Sequence, residues 1–206
     1  GPWGDGTDDE QLYCRPSFSI LTTDGYWNDS TSSKFKLGDE DKDGHSVTLA
    51  DIAMHYYQTD LRDDLINKVP PSTEDPATWQ HMVTFSLSIG LQGTAKLAAK
   101  YPDKSKPPAS NSADWPDPMD AEDLDRVDDL WHAAVNGHGT FVAASNPTEF
   151  ATGLVAALAA VAGRSGSASN VSTNSTSFQD KSAVYQASYT PGTWSGDPEI
   201  TRVYQF

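Results

Sequence analysis

Carboxylates stand at two places in this 206-residue chain where their spacing or their position suits a hard cation. In the stretch from Gly38 to Asp51, the residues Asp39, Asp41, Asp43 and Gly44 follow the D-x-D-x-D-G opening of a calcium loop. Alternate carboxylates in such a loop converge on one ion, and the glycine permits the sharp turn. The pattern departs from the rule at its end. The twelfth position, where a bidentate acid normally closes the shell, falls on Ala50, and Asp51 comes one residue late, where it can act as a helix cap instead. A solvated acidic loop is the competing reading. The second place is Asp24, at the exit of the apolar run Phe18 to Thr23. Ligands of open α/β sheets bind beyond the carboxyl ends of strands, so an acid there is a site candidate, with a plain Asp-Gly turn as the alternative. The histidines His45, His55, His81, His132 and His138 include no pair at the i, i+4 spacing of a helical zinc motif, and packing or surface roles are expected for them.

The elements that must hold these residues follow from periodicity. Phe18 to Thr23 reads as an interior strand ended by Asp24-Gly25. Leu49, Ile52, Ala53 and Tyr56 recur at helical spacing behind Thr48 and Asp51, a Thr-x-x-Asp pattern of the capping-box kind. Val83, Phe85, Leu87, Ile89 and Leu91 alternate with Thr84, Ser86 and Ser88, which gives a strand near 82 to 91. The stretch from Lys96 to Met119 holds no period and reads as a long surface insertion. Leu124, Val127, Trp131, Ala134 and Val135 form a helical stripe that stops at Gly137, and Thr140 to Ser145 reads as a short strand. Asn146, Pro147 and Glu149 supply cap, first-turn proline and N3 acid for a helix through Phe150, Leu154, Leu158 and Val161, ended by Gly163. Trp79 and Trp131 are expected in the core or covering it. Strands alternating with helices predict a parallel α/β sheet.

Composition changes at Arg164, where a polar, low-complexity stretch gives way to β-branched and aromatic residues with turn pairs Pro191-Gly192 and Gly196-Asp197. The expected organisation is an α/β domain over 1-164 and a β-rich segment over 165-206. The 29 acids against 14 bases, a formal charge of −15, repel phosphate backbones and anionic membranes, so nucleic acid is excluded as a partner class. Cys14 is the only cysteine, which excludes an internal disulfide and a thiolate cluster. The longest apolar stretch, starting at Phe150, is too short and too rich in alanine for a transmembrane span.

In this order, the strings TDGYWN, TLADIAMHYYQTDLR, DPATWQHMVTFSLSIGLQGT, DDLWHAAVNGHGTFVAA and YTPGTWSGD resemble the PilC/PilY family of type IV pilus tip adhesins and biogenesis factors. The order of elements resembles the second half of a von Willebrand factor type A domain. The similarity runs from about Cys14 to Asp197, interrupted at the loops. It implies a von Willebrand factor type A-like, Rossmann-like open sheet with flanking helices, incomplete here, followed by a small β-rich stub leading toward a β-propeller. Asp24 matches the acid of the metal-ion-dependent adhesion site of such domains, which helps hold a divalent cation, calcium or magnesium. The Asp-x-Ser-x-Ser segment that supplies the main ligands is absent from this sequence and would lie upstream of residue 1. With the acidic loop, the candidate metal ligands are Asp24, Asp39, Asp41, Asp43 and Asp51. The function implied is a non-enzymatic module for pilus-associated adhesion and pilus biogenesis, cation-dependent in its binding. Its partners would be pilus proteins such as minor pilins, or a host or abiotic surface. It would be exported through the periplasm to the bacterial cell surface, at the pilus tip or outer membrane. A metal-dependent hydrolase, with Asp24 and a histidine sharing a catalytic cation and an activated water, is the alternative.

Overall fold

The computed structural model describes residues 3-4, 12-27, 37-120 and 122-165, and beyond them the backbone of three strands, 171-173, 183-190 and 195-202. The chain divides into two compact units, Gly1–Val161 and Ala162–Phe206.

The first unit is an α/β fold on a parallel three-stranded sheet in the order β1-β2-β3. Its strands are β1 (Ser17–Thr23), β2 (Met82–Ile89) and β3 (His138–Ala144), and its helices are α1 (Leu49–Gln58), α2 (Ala95–Lys100), α3 (Asp125–Asn136) and α4 (Pro147–Ser165). β2 is the central strand and is buried along six consecutive positions, as a parallel strand covered on both faces must be. Its two faces differ in chemistry. Ser86 donates its hydroxyl to the Leu130 carbonyl of α3 at 2.7 Å, while Val83 and Phe85 pack in a cluster with Tyr57, Ala77 and Ala157 of α4. A second cluster joins Leu97, Trp115 and Trp131, with Tyr101, Val135 and Phe141 against it. The sheet therefore lies between α3 and α4.

Close backbone approach sets parts of this packing. A Cβ on Gly139 would stand 2.1 Å from the Thr84 carbonyl oxygen, where the β2-β3 register shifts between Thr84 and Ser86. A Cβ on Gly153 would stand 2.6 Å from Val142 Cγ1, so glycine lets α4 settle onto β3. That approach turns the helix from the expected stripe. Leu158 is half exposed and Ala157 takes the buried position, while α4 continues past Gly163 to Ser165.

The stretch from Lys96 to Met119 is also more ordered than its composition suggests. Thr94 caps the short helix α2, and Trp115 is buried with its Nε1 donating to the Ala109 carbonyl at 3.0 Å. Aperiodic polar sequence around one tryptophan can anchor a segment that pattern alone assigns to the surface.

In the second unit β4 (Val171–Thr173), β5 (Ala183–Thr190) and β6 (Ser195–Arg202) form an antiparallel sheet in that order. Gly196 and Asp197, read from sequence as a turn, lie within β6 opposite Tyr189 and Ser188. The Pro191-Gly192 turn expected between β5 and β6 lies outside the described residues.

Candidate metal centre

Helix α3 organises the acidic loop and the helices around it. Its consecutive acids Asp128 and Asp129 each occupy a neighbouring helix start. Asp129 accepts from the Leu49 and Ala50 backbone N–H groups at 3.0 and 3.1 Å, satisfying two of the donors that the first turn of α1 leaves open. Asp128 accepts from Thr94 N–H at 2.8 Å and from its hydroxyl at 2.7 Å, at the N-terminus of α2. Burial raises the Asp129 carboxyl to about 7, although the two backbone donors oppose the rise.

One turn further along α3, His132 and Asn136 meet the loop. Asn136 donates its amide to Asp41 Oδ2 at 2.5 Å and to the Ala50 carbonyl at 3.1 Å. The His132 Nε2 lies 2.8 Å from the Ser110 carbonyl oxygen and 3.1 Å from Asp41 Oδ2, and its Nδ1 lies 3.7 Å from Asp43 Oδ2. Trp115 stacks on the imidazole at 4.1 Å between ring centres, with the rings 9° from coplanar, which fixes the ring plane.

The loop folds on its own carboxylates. Asp39 accepts from Asp43 N–H and Gly44 N–H, both at 3.1 Å, and Asp41 Oδ1 accepts from Asp43 N–H at 3.2 Å. Gly44 has φ +106°, the turn that the D-x-D-x-D-G spacing calls for, and Lys42 and Val47 also take positive φ, at 66° and 63°. Asp51 completes a capping box with Thr48, and its other oxygen accepts from Glu40 N–H at 2.7 Å. Both Asp51 oxygens are therefore in use.

Charge is distributed unevenly over these groups. Burial pushes the Asp41 carboxyl up, but the hydrogen bond and charge of His132 and the Asn136 donor outweigh it and hold the group below its ordinary value. Burial raises Asp43, with the nearby Asp41 charge adding to the rise, and burial raises Asp51 against the Thr48 and Glu40 donors.

Two groups of side chains among the described residues have ligand atoms within 4.8 Å of one another: Asp41, Asp43 and His132, and Asp39, Asp41 and Asp51. Of the loop carboxylates, Asp39 and Asp51 fall in one group and Asp43 in the other, with Asp41 common to both. Asp24 joins neither group. It is exposed just past β1, and parallel pairing sets the preceding Thr23 beside Ser88, near the carboxyl end of β2, as an acid at a strand exit should lie. Thr23 closes the turn there, accepting from Gly25 N–H at 3.1 Å. The acid at the start of α4, Glu149, already accepts from Ser145 N–H at 2.7 Å. One exposed carboxylate does not make a cation site, so the described residues at that edge do not fit an adhesion-type metal by themselves. The hydrolase alternative needs Asp24 and a histidine at one ion, and the histidine with carboxylates around it, His132, stands with Asp41 and Asp43 instead.

From the sequence, a packing or surface role is expected for His132. A signal for it exists: Asp125, Asp128 and Asp129, His132 and Asn136 recur at helical spacing beside the apolar stripe of α3, and all are buried. A polar stripe of that kind reads more simply as a solvated face, and only the fold shows the loop and Trp115 covering it.

No family model matches the chain, and no solved structure matches it. Among curated proteins it is 33% identical over 227 residues to the type IV pilus biogenesis factor PilY1 of Pseudomonas aeruginosa strain PAK, an alignment covering 89% of this chain. It is 32% identical to PilY1 of strain PAO1, over 89% of the chain, and 28% identical to PilY1 of strain UCBPP-PA14, over 93%. The chain spans about a fifth of the length of these relatives, 19 to 20%.

Proposed function

From the premise that this chain is a relative of the PilC/PilY family, we propose that it is a non-enzymatic module of a pilus-associated surface protein, acting in pilus biogenesis and in adhesion to a partner or surface. The observation that carries this reading is the similarity to PilY1, a named type IV pilus biogenesis factor, along about nine-tenths of the chain, 89 to 93%. In this reading the α/β unit is von Willebrand factor type A-like, and the antiparallel β4-β5-β6 sheet belongs to a β-rich segment leading toward a β-propeller. Its partners are minor pilins, or a host or abiotic surface, reached at the pilus tip or outer membrane after export. Among the described residues no helix is long and apolar enough to cross a membrane.

Cation dependence enters at the acidic loop, where Asp39, Asp41, Asp43 and Asp51 gather, and at Asp24 if a partner or an upstream segment completes its shell. A net charge of −15 favours basic partner surfaces or divalent bridging. The test is binding of the purified chain to minor pilins and to a coated abiotic surface, with calcium and with chelator. Saturable binding to either, lost on chelation, supports the reading. Absence of binding to both, under both conditions, overturns it.

A further inference from the structure

We propose that His132 and the acidic loop form a site for a first-row divalent metal of the zinc class, ligated by His132 Nδ1, Asp43 and Asp41. The location rests on the cation reading of the loop; the metal class and the histidine ligand go beyond it.

Three features of His132 carry the assignment. Its side chain is 4% exposed, and Nε2 lies 2.8 Å from the Ser110 carbonyl, an oxygen that can only accept. The proton is therefore on Nε2, and Nδ1 is left with its lone pair or with a second proton. That nitrogen faces Asp43 Oδ2 at 3.7 Å, well past the range of about 2.7 to 3.2 Å for an N–H···O bond. Two ligands held at about 2.1 Å from one tetrahedral ion stand roughly 3.4 Å apart, so the gap suits a shared metal better than a shared proton.

The surroundings match what a metal-binding imidazole needs. Such histidines give their other N–H to a carbonyl or carboxylate, which sets the tautomer and ring orientation. Here the Ser110 carbonyl does so, Asn136 anchors Asp41 at 2.5 Å, and Trp115 stacks on the ring. The Asp43 side chain is 5% exposed, and its Oδ1 is held by His45 N–H at 2.8 Å, which leaves Oδ2 aimed at the imidazole. Asp41 has an oxygen within 4.8 Å of both. An imidazole with two carboxylates suits zinc, cobalt or nickel better than calcium, which prefers oxygen ligands alone. Three protein ligands leave a fourth position for water or for a partner's donor group.

The test uses the whole 206-residue chain titrated with Co2+, read by visible absorption, then back-titrated with Zn2+. Expected is one saturable Co2+ site with a nitrogen-ligated spectrum, displaced by Zn2+. Asp43→Asn, which keeps the acceptor for His45, and His132→Gln should each weaken it at least tenfold, on the order seen when metal-site partners are removed. Asp64→Asn should leave it within about twofold, since that exposed acid pairs with Arg62 and belongs to neither group of candidate ligands. If His132→Gln unfolds the chain, Asp43→Asn decides. Absence of Co2+ binding, or binding unchanged by Asp43→Asn, overturns the proposal. Calcium stabilisation lost in Asp39→Asn, without any Co2+ site, overturns it while leaving the calcium reading of the loop intact.

Discussion

His81 and His132 are both buried, both flanked by aromatic rings, and both close to an aspartate, at 3.0 Å from Asp75 and 3.1 Å from Asp41. At His81 the polar atoms are all matched. Nδ1 meets the Trp79 carbonyl at 2.7 Å, Nε2 meets Asp75 Oδ2, and Asp75 Oδ1 accepts from the Tyr57 hydroxyl at 3.1 Å. At His132 one nitrogen is engaged twice while the other faces Asp43 across 3.7 Å. The same residue types thus make a closed structural pair in one place and an open set of donors in the other. A ligand site is marked by what its polar atoms lack, since a buried group with no vacancy has nothing to offer an ion.

The largest effect that would break this contrast is loss of the closed pair. Asp75→Ala leaves a buried imidazole facing a void and takes the acceptor from Tyr57, and removing one partner of a buried pair costs about 3 to 5 kcal/mol. Asp43→Asn, measured with chelator present, should change stability by less than about 1 kcal/mol, because burial disfavours the ionised Asp43 carboxyl and the amide keeps the His45 hydrogen bond. Urea unfolding of the two variants checks both. Equal losses would mean that the His132 set is as structural as the Asp75 pair.

Next in size is the separation of supporting from ligating acids on α3. Asp129→Ala uncovers the Leu49 and Ala50 N–H groups and should cost about 1 to 2 kcal/mol, the usual worth of a cap. It should leave Co2+ affinity within a few-fold, because Asp129 belongs to neither group of candidate ligands. A large loss of affinity with no loss of stability would reverse these roles.

Much of the fold was legible in the sequence because period and capping both spoke for it. Thr48 and Asp51 announced the start of α1, the alternation from Val83 to Ile89 announced β2, and Asn146, Pro147 and Glu149 announced α4. The turn of the acidic loop was legible too, since the D-x-D-x-D-G spacing lies within one short stretch and Gly44 takes the positive φ it calls for. The His132 contribution was not, because it reaches the loop from more than 80 residues away and its helix shows a polar stripe that looks solvated. Trp115 was missed for a related reason: one aromatic in a polar stretch gives no period, yet it covers that stripe. Leu158 was misplaced because Gly153 decides how α4 sits on β3, a matter of contact distance that periodicity cannot express.

A smaller and opposite-signed effect comes from pH. Asp129 and Asp125 are both raised to about 7, Asp129 by burial and Asp125 by burial together with the charges of Asp120, Glu122 and Asp128. In the unfolded chain such carboxyls titrate near about 3.9. Between those values the folded chain holds protons that the unfolded chain does not, so stability rises as pH falls from 7.5 toward 5 and is lost as pH climbs through 7. Asp75 and Asp41 act the other way. Burial raises them, but their histidines outweigh it and depress both, so their contribution is present above about pH 4 and is lost below it. Melting temperature in chelator should therefore peak near about pH 5, a few degrees above its value at pH 7.5, and Asp129→Asn should flatten that rise. A steady fall in melting temperature from pH 7.5 to 5 would contradict the assignment.

The smallest effect is expected at Asp24, which tests whether a site can sit on the sheet edge without serving the fold. Asp24 is exposed, follows the last residue of β1, and belongs to a turn that Thr23 closes through its own hydroxyl and Gly25 N–H. Nothing in that turn needs the Asp24 carboxylate, so Asp24→Ala should change stability by less than about 0.5 kcal/mol, the range of surface substitutions. Co2+ affinity at His132 should also be unchanged, since Asp24 is in neither group of candidate ligands. Partner or surface binding is the property in which the substitution should register. Calcium-dependent adhesion reduced in Asp24→Ala, with stability and Co2+ binding intact, would assign the sheet edge to recognition and the His132 centre to a separate role. Adhesion unchanged in Asp24→Ala and lost in Asp43→Asn would move recognition to the loop, and Asp24 would then be the acid of an ordinary Asp-Gly turn.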